Sequence, residues 1–443
     1  MLSNIKNVFK VHDLRNKILF LLAMVALYRL GVAIRVPGLD QDQIKRFKDA
    51  LENDNGALGF LNLFSGGAFA SFSIFALGIM PYITASIIMQ VLGVVIPKLE
   101  KLQKEGAVGQ RKITQYTRYL GIAIAVLQGT ALTFIFGRGG GNAFFGAAAN
   151  VPNIRLLPEG MWPRGYLVIL TLVAGTALLM WIGELISQRG IGNGMSMLIM
   201  ASVVSHLPFS FYSILKEKSW VPFVVLVLIS IGIIIAVVRV ELAQRRIPVQ
   251  FAKRVVGRRM YGGQNTYIPL KVNQSGVIPI IFASSVLMLP VLLSNLLGSN
   301  SGSGWRASVQ KFITENLVND RKATYIVLFT VMIIAFAYFY NSIAFDPIRQ
   351  ADQIRRQGGF IPGIRPGPQT ERYLAKAVNR ITLPGAVFVA LLAITPYIVL
   401  WIFDVKNFQF GGTTVLIAVG VAMELMRQID SQLMQRNYQG FLK

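Results

Sequence analysis

Residues 62–97 read NLFSGGAFASFSIFALGIMPYITASIIMQVLGVVIP, and none of them is charged. A helix crossing the hydrocarbon core of a bilayer needs about 20 apolar residues. The stretch is too long for one crossing, and no polar loop divides it into two. Its first part is rich in Gly, Ser and Phe, with a Gly66–Gly67 pair, and Pro81 interrupts its second part. It reads either as one long tilted helix or as a full span preceded by a shorter piece.

The chain around it has 443 residues, 53% of them hydrophobic and only 14% charged, with a mean hydropathy of +0.54. Several further charge-free stretches are long enough to span a membrane. Lipid-exposed backbone must satisfy its hydrogen bonds within its own segment, so the reading is an all-α polytopic membrane protein. Outer-membrane strands would alternate apolar and polar residues, and these stretches do not. The N-terminal MLSNIKNVFKVHDLRNK has no small-residue cleavage site before its apolar run, so no removable signal peptide is expected. Cysteine is absent, which excludes disulfides and thiol chemistry. The only histidines, His12 and His206, are too few and too far apart for a metal site. No carboxylate pair, nucleophile–base constellation or phosphate loop stands out, so neither a catalytic residue nor a cofactor is expected. RGIGNGMS (189–196) reads as a tight turn between two spans, with Asn193 and Ser196 capping the next helix.

Ten crossings are predicted, near 18–34, 75–96, 116–136, 165–186, 193–209, 221–240, 274–297, 323–343, 381–402 and 412–429. An even number puts both termini on one side. That side carries 29 of the 44 Lys and Arg residues, against 10 acids. The other side has 14 basic and 10 acidic residues, and Arg29 lies inside the first span. The basic excess places the termini in the cytoplasm. Two loops on the basic side, about 241–273 and 344–380, look like more than orientation signals. The first alternates apolar and charged residues around Gly257 and reads as a projecting β-hairpin. The second is dense in Gly and Pro and reads as an ordered turn.

The motifs IRVPG (34–38), LFSGG (63–67), GIMPYITASIIMQ (78–90), EGAVGQRKITQYTRY (105–119) and RGIGNGMS come in that order. QRRIPVQFAKR (244–254), IPLKVNQSGVIPIIFASS (268–285), PGIRPGPQTERYL (362–374) and FGGTTVLI (410–417) follow. Together they closely resemble the SecY/Sec61-alpha family, the large subunits of Sec protein-conducting channels, over nearly the whole chain. Pro368, Met195 and Met197 are minor departures.

The resemblance implies ten spans in two pseudo-symmetric five-helix halves around a central pore, residues 1–210 and 211–443. It splits the opening stretch into a re-entrant plug helix, about 61–73, and the true second span, about 74–96. Leu63, Phe64, Ser65, Gly66, Gly67, Ala68 and Phe69 belong to that plug, whose small residues would let it leave the pore easily. A pore ring is implied at Ile83, Ile87, Ile199, Ile281 and Ile417, with Leu198 a neighbour that could replace Ile199. A ring of this kind dewets when empty and closes around a passing chain. A lateral gate between spans two and seven would carry Thr84, Ser86, Gln90, Asn273, Gln274, Ser284 and Ser285, with Gln90 and Asn273 helping to hold it shut. Lys253, Arg254, Arg258, Arg259 and Arg365 would dock the SecA motor or the ribosome, the latter through rRNA phosphates. SecE and SecG are the implied small membrane subunits, signal sequences and unfolded preproteins the clients, membrane lipid the sink for hydrophobic segments, and the bacterial cytoplasmic membrane the location.

A secondary transporter is the rival class, since those proteins also use inverted repeats and broken helices. Such proteins usually hold an ionisable site near the membrane midplane. Here Glu184, Glu424 and Arg427 fall near cytoplasmic span ends, and Arg29, the deepest charge, could snorkel or bind a helix carbonyl.

Overall fold

In a computed structural model, the structure describes residues 11–52, 62–137, 157, 161–217, 220–251, 254–256, 259–261, 265–296, 323–403 and 412–440. Among them, ten long helices fall on the ten predicted spans. In chain order the helices are α1 (His12–Ala33), α2 (Gln41–Glu52), α3 (Met80–Val95), α4 (Pro97–Lys104), α5 (Ala107–Gly137), α6 (Met161–Arg189) and α7 (Gly194–Glu217). They continue as α8 (Trp220–Leu242), α9 (Ile278–Leu296), α10 (Ala323–Ala344), α11 (Pro347–Arg356), α12 (Pro368–Phe403) and α13 (Gly412–Gly440). The short helices α2, α4 and α11 were not foreseen. By length and hydropathy alone, five described helices are able to cross a membrane, and a sixth if the bent pair α3–α4 counts as one.

The bend of that pair is 106°. Ile96 is extended, and Pro97 starts α4 at a position where its missing N–H costs nothing. At the turn between α6 and α7, Asn193 Oδ1 accepts from Met195 N at 3.0 Å, so Asn193 is the cap. Ser196, the other predicted cap, lies inside α7.

Packing repeats itself along the chain. In the first half, α3 lies on α5, α5 on α6, α6 on α7, and α1 on both α6 and α7. In the second half, α9 lies on α10, α10 on α12, α12 on α13, and α8 on both α12 and α13. Each pairing has its counterpart five spans later. The halves meet where α7 packs on α13, and where α9 runs along α3 and α5. Outward faces carry apolar side chains such as Leu170, Leu228 and Val327, as lipid contact requires.

Two predictions are corrected here. The segment ahead of α3 is helical only at 62–64 within the described residues, and then runs through successive turns to 79. Gly66, Gly67 and Gly78 adopt positive φ there, and Phe72 joins them at +45°. A right-handed helix cannot pass through such residues. The second span therefore starts at Met80 rather than near 74.

The two basic-side loops form one unit rather than two. β1 (Gln244–Phe251) pairs antiparallel with β4 (Asn265–Lys271), and β5 (Gly359–Phe360), from the other loop, adds to the far edge of β1. β2 (Arg254–Val256) and β3 (Arg259–Tyr261) extend the hairpin. Gly257, its predicted turn, lies outside the described residues. Ile247, Val249, Leu270, Ile354, Ile361 and Leu374 give this unit its own apolar core.

Candidate functional site

The turn-rich segment 62–79 sits between the halves. Leu63, Phe64 and Ala68 share one buried apolar cluster with Ile199, Ile281 and Ile417, with Ile83 packed against it. Four of the five predicted ring isoleucines thus belong to or pack against one cluster, from α3, α7, α9 and α13. Ile87 is also buried but lies outside that cluster. Leu198 and Ile199 face different neighbours. A Cβ added at Gly183 of α6 would meet Leu198 Cδ1 at 3.5 Å. Ser202, one turn on from Ile199, would meet a Cβ at Gly66 at 3.1 Å. Ile199 is therefore on the α7 face turned to the segment, and Leu198 on the face turned to α6.

The segment is held more firmly than its small residues suggest. Phe69 and Phe72 join Phe47 of α2 and Phe136 of α5 in a ring cluster; Phe47 lies 5.2 Å from Phe72 and 5.0 Å from Phe136, edge to face. Phe75 stacks on Tyr28 at 5.9 Å and lies against Gly31, where any Cβ would run into its ring. Gly175 of α6 likewise leaves room for the Ile74 carbonyl. Small residues here admit the segment closely into its surroundings. The expectation of a loosely held element is corrected: the glycines and serines make the turns, while the phenylalanines anchor them.

Polar contacts add to this. Tyr28 donates its hydroxyl proton to Ser65 O at 2.9 Å, and Arg29 Nη1 donates to Gly66 O at 3.0 Å. Arg29 thus binds a carbonyl, but of a turn rather than a helix. Ionisable groups inside spans usually have such a named partner. Gly66, at φ +67°, could not be replaced cheaply, because a Cβ there would also stand 2.6 Å from the Tyr28 hydroxyl. Sequence reasoning missed Tyr28, Ser202, Phe47 and Phe136; of these contacts only the lone charge of Arg29 gave a readable signal.

Of the predicted gate residues, Thr84, Ser86 and Gln90 lie on α3, Ser284 and Ser285 on α9, and Asn273 and Gln274 just before it; among the described residues none bonds from one helix to the other. Thr84 Oγ1 donates to Met80 O of its own helix, and Ser284 Oγ to Ile281 O of its own. Asn273 Nδ2 donates to Glu241 Oε2 at 3.2 Å, and its Oδ1 has no partner. Ser285 Oγ is also buried without one. Ser86, Gln90 and Gln274 are partly exposed. Gln90 and Asn273, expected to help hold the gate shut, do not bond to each other: the Asn273 amide turns toward the end of α8.

Next to Asn273, a cavity of about 480 Å³ opens between Ser196, Glu241, Lys271, Tyr340, Glu424 and Arg427. Val277 and Val421, one turn from Ile281 and Ile417, lie at its apolar side.

Of the predicted docking residues, Arg365 is exposed in the turn before α12, and its carbonyl accepts from Thr370 Oγ1 at 3.0 Å. Arg254 and Arg259 lie on β2 and β3. Lys253 and Arg258 lie outside the described residues. Among the described residues no group of His, Asp and Glu could hold a metal ion.

The SecY family model matches residues 73–426. A Streptomyces coelicolor protein translocase subunit SecY is 47% identical over 448 residues, covering 100% of both chains. The Mycobacterium tuberculosis subunit of that name is likewise 47% identical over 448 residues, with 100% of each chain covered. A solved protein-conducting channel superposes with a TM-score of 0.58 at 19% identity, over 94% of this chain and 91% of its own. Sec61 from a canine ribosome–channel complex gives 0.55 at 17% identity, over 94% and 91%.

Proposed function

The chain belongs to the SecY family, and from that premise we propose that it is the channel subunit of a protein translocase in a bacterial cytoplasmic membrane, with both termini in the cytoplasm. It is not an enzyme, and it is a multi-pass membrane protein. The observation that carries the finer reading is the shared cluster of Leu63, Phe64 and Ala68 with Ile199, Ile281 and Ile417. A branched apolar ring blocks ions by excluding water when empty, and it yields around a passing chain. The turn-rich segment 62–79 fills the ring from one side and so acts as the plug.

Release into lipid occurs between α3 and α9, where the packing is apolar and no hydrogen bond between described residues crosses the seam, so nothing specific has to break. The sheet built from both basic loops presents Arg365, with Lys253, Arg254, Arg258 and Arg259 at or near its hairpin, to SecA or to ribosomal phosphates. Phosphate contacts of this type position a partner without reading sequence. A chain with no nucleotide-binding loop takes its driving energy from that partner or from the membrane potential. SecE and SecG complete the assembly, and signal sequences and unfolded preproteins are its substrates.

The absence of native cysteine makes the test direct. One cysteine is placed at Ile281, and in a second variant at Leu228, which is 63% exposed on the lipid-facing side. With a secretory precursor stalled in the reconstituted translocase, a cysteine in mid-precursor should crosslink to position 281 and not to 228, in an ATP-dependent way. An engaged precursor that never reaches 281 would remove the ring from the translocation path.

A further inference from the structure

We propose that the plug pivots at Ser71–Ser73, and that Tyr28 and Arg29 are the positioning residues that latch its moving lobe in the pore. The proposal rests on the channel reading above. The two ends of the segment are attached by different means. The later leg is stitched by backbone: Val36 N donates to Phe72 O at 2.9 Å and Ile74 N to Ile34 O at 3.0 Å, framing a bridge between Arg35 and Ser73. Phe72 and its partners Phe47 and Phe136 fix that leg further.

The earlier part, 62–70, is knitted mainly to itself. Ser65 Oγ donates to Asn62 O and accepts from Phe69 N, both at 3.0 Å, while Ala70 N donates to Asn62 Oδ1 at 3.0 Å. Gly67 N donates to Asn62 O at 2.9 Å. These bonds travel with the lobe if it moves as one body. From α1, Tyr28 and Arg29 each donate a hydrogen bond to the lobe, and at the pivot Ser73 N donates to Ala68 O at 3.0 Å, a bond that breaks as the lobe swings. Its other contacts with the ring isoleucines are apolar, and an apolar client segment replaces them. A passing polypeptide also offers carbonyls, so both donors find new partners as the lobe leaves.

Between lobe and leg stands Phe72, at φ +45° the one described residue other than glycine in the left-handed region. Backbone held in a sparsely populated region persists only where its surroundings impose it. Rotation there relieves the strain and swings the lobe, and Phe69 is the ring of the aromatic cluster that leaves with it.

Two disulfides separate this from movement of the whole segment. Positions 35 and 73 face each other as a non-hydrogen-bonded antiparallel pair, whose side chains approach closely. A Cβ at Gly66 stands 3.1 Å from Ser202 Cβ. The full chain with its small partner subunits and motor, in vesicles transporting a precursor, carries either Arg35→Cys with Ser73→Cys or Gly66→Cys with Ser202→Cys. The oxidised 35–73 variant should transport as its reduced form does. The oxidised 66–202 variant should stop while its own reduced form, which already displaces the Tyr28 hydroxyl and serves as the baseline, transports. Loss of transport on closing 35–73, or undiminished transport with 66–202 closed, overturns the pivot. Arg29→Met should raise idle ion leak about tenfold or more, as expected for losing a hydrogen bond to a charged donor, while Arg29→Lys should stay near the parent. Equal leak in both variants overturns the latch. Absence of transport by the parent chain would sink the channel reading itself, whereas a loss confined to the 35–73 pair removes the pivot alone.

Discussion

On the proposed reading the plug and the seam between α3 and α9 both open, yet they are built differently. The plug is tied by rings, by backbone pairing and by two side-chain donors that reach it from α1. Along the seam, Thr84 and Ser284 bond within their own helices, and Asn273 bonds back to α8. Among the described residues no hydrogen bond crosses it. The proposed plug carries specific contacts, and among the described residues the proposed gate carries no hydrogen bond across it. On that reading closure depends on the plug, while the seam parts readily.

Two substitutions on the plug side, and a double-mutant cycle and one substitution on the seam, test that division. The largest effect is expected at Phe47, which is fully buried and touches Phe69, Phe72 and Phe136. Removing a buried Phe ring costs about 3–5 kcal/mol in protein cores. Phe47→Ala should lower the thermal midpoint of the purified complex and raise idle ion leak. An unaltered midpoint would mean that the cluster is not what anchors the plug. Gly66→Ala comes next. A left-handed L-residue costs roughly 1–2 kcal/mol, and the Tyr28 hydroxyl must also yield. The expected readout is leak together with acceptance of weakened signal sequences, at near-normal thermal stability. If Gly66→Ala proves as unstable as Phe47→Ala, the turn is structural throughout and the comparison loses its point.

The positions of the ten long helices were legible because hydrophobic run length acts locally along the chain; the pseudo-symmetry came from the family resemblance, and the choice of cytoplasmic side rests on Lys/Arg bias alone. The grouping of Ile83, Ile199, Ile281 and Ile417 in or against one cluster was expected only from a family resemblance, since in a membrane helix an isoleucine facing a pore looks like one facing lipid. Three features could not be read in advance. The plug's turns depend on φ signs at Gly66, Gly67, Phe72 and Gly78 that composition does not encode. The pairing of β5 with β1 joins residues more than a hundred positions apart. The Asn273–Glu241 bond joins residues 32 positions apart, and only packing brings them together. Arg29 was the exception, because a lone charge in a span demands a partner even when that partner cannot be named.

The pair Asn273–Glu241 supplies a middle-sized test. A hydrogen bond to a charged group contributes about 1.5–3 kcal/mol, less where both groups reach water. A double-mutant cycle with Asn273→Ala and Glu241→Gln should show coupling near 1 kcal/mol in the stability of the complex. The same cycle between Asn273→Ala and Gln90→Leu should show none. Coupling with Gln90 would mean that an amide tie forms across the seam after all, and that the seam has a specific lock.

The smallest effect belongs to Thr84, and it is the sharpest test because the division predicts almost nothing. Thr84 is 6% exposed, and its hydroxyl is spent on Met80 O at 3.0 Å. Thr84→Val keeps shape and volume while removing a bond internal to α3. Even hydrogen bonds between membrane helices average only about 0.6 kcal/mol, so an intrahelical one should fall below that in its effect on gate opening. Gate opening is read as crosslinking of a signal sequence to α3 and α9, scored against precursor hydrophobicity. An unshifted threshold would leave the seam as a surface parted by apolar exchange alone. A shifted threshold, with the plug's leak unchanged, would show that polarity on α3 sets which segments enter lipid, and that openness at the seam is tuned rather than merely permitted.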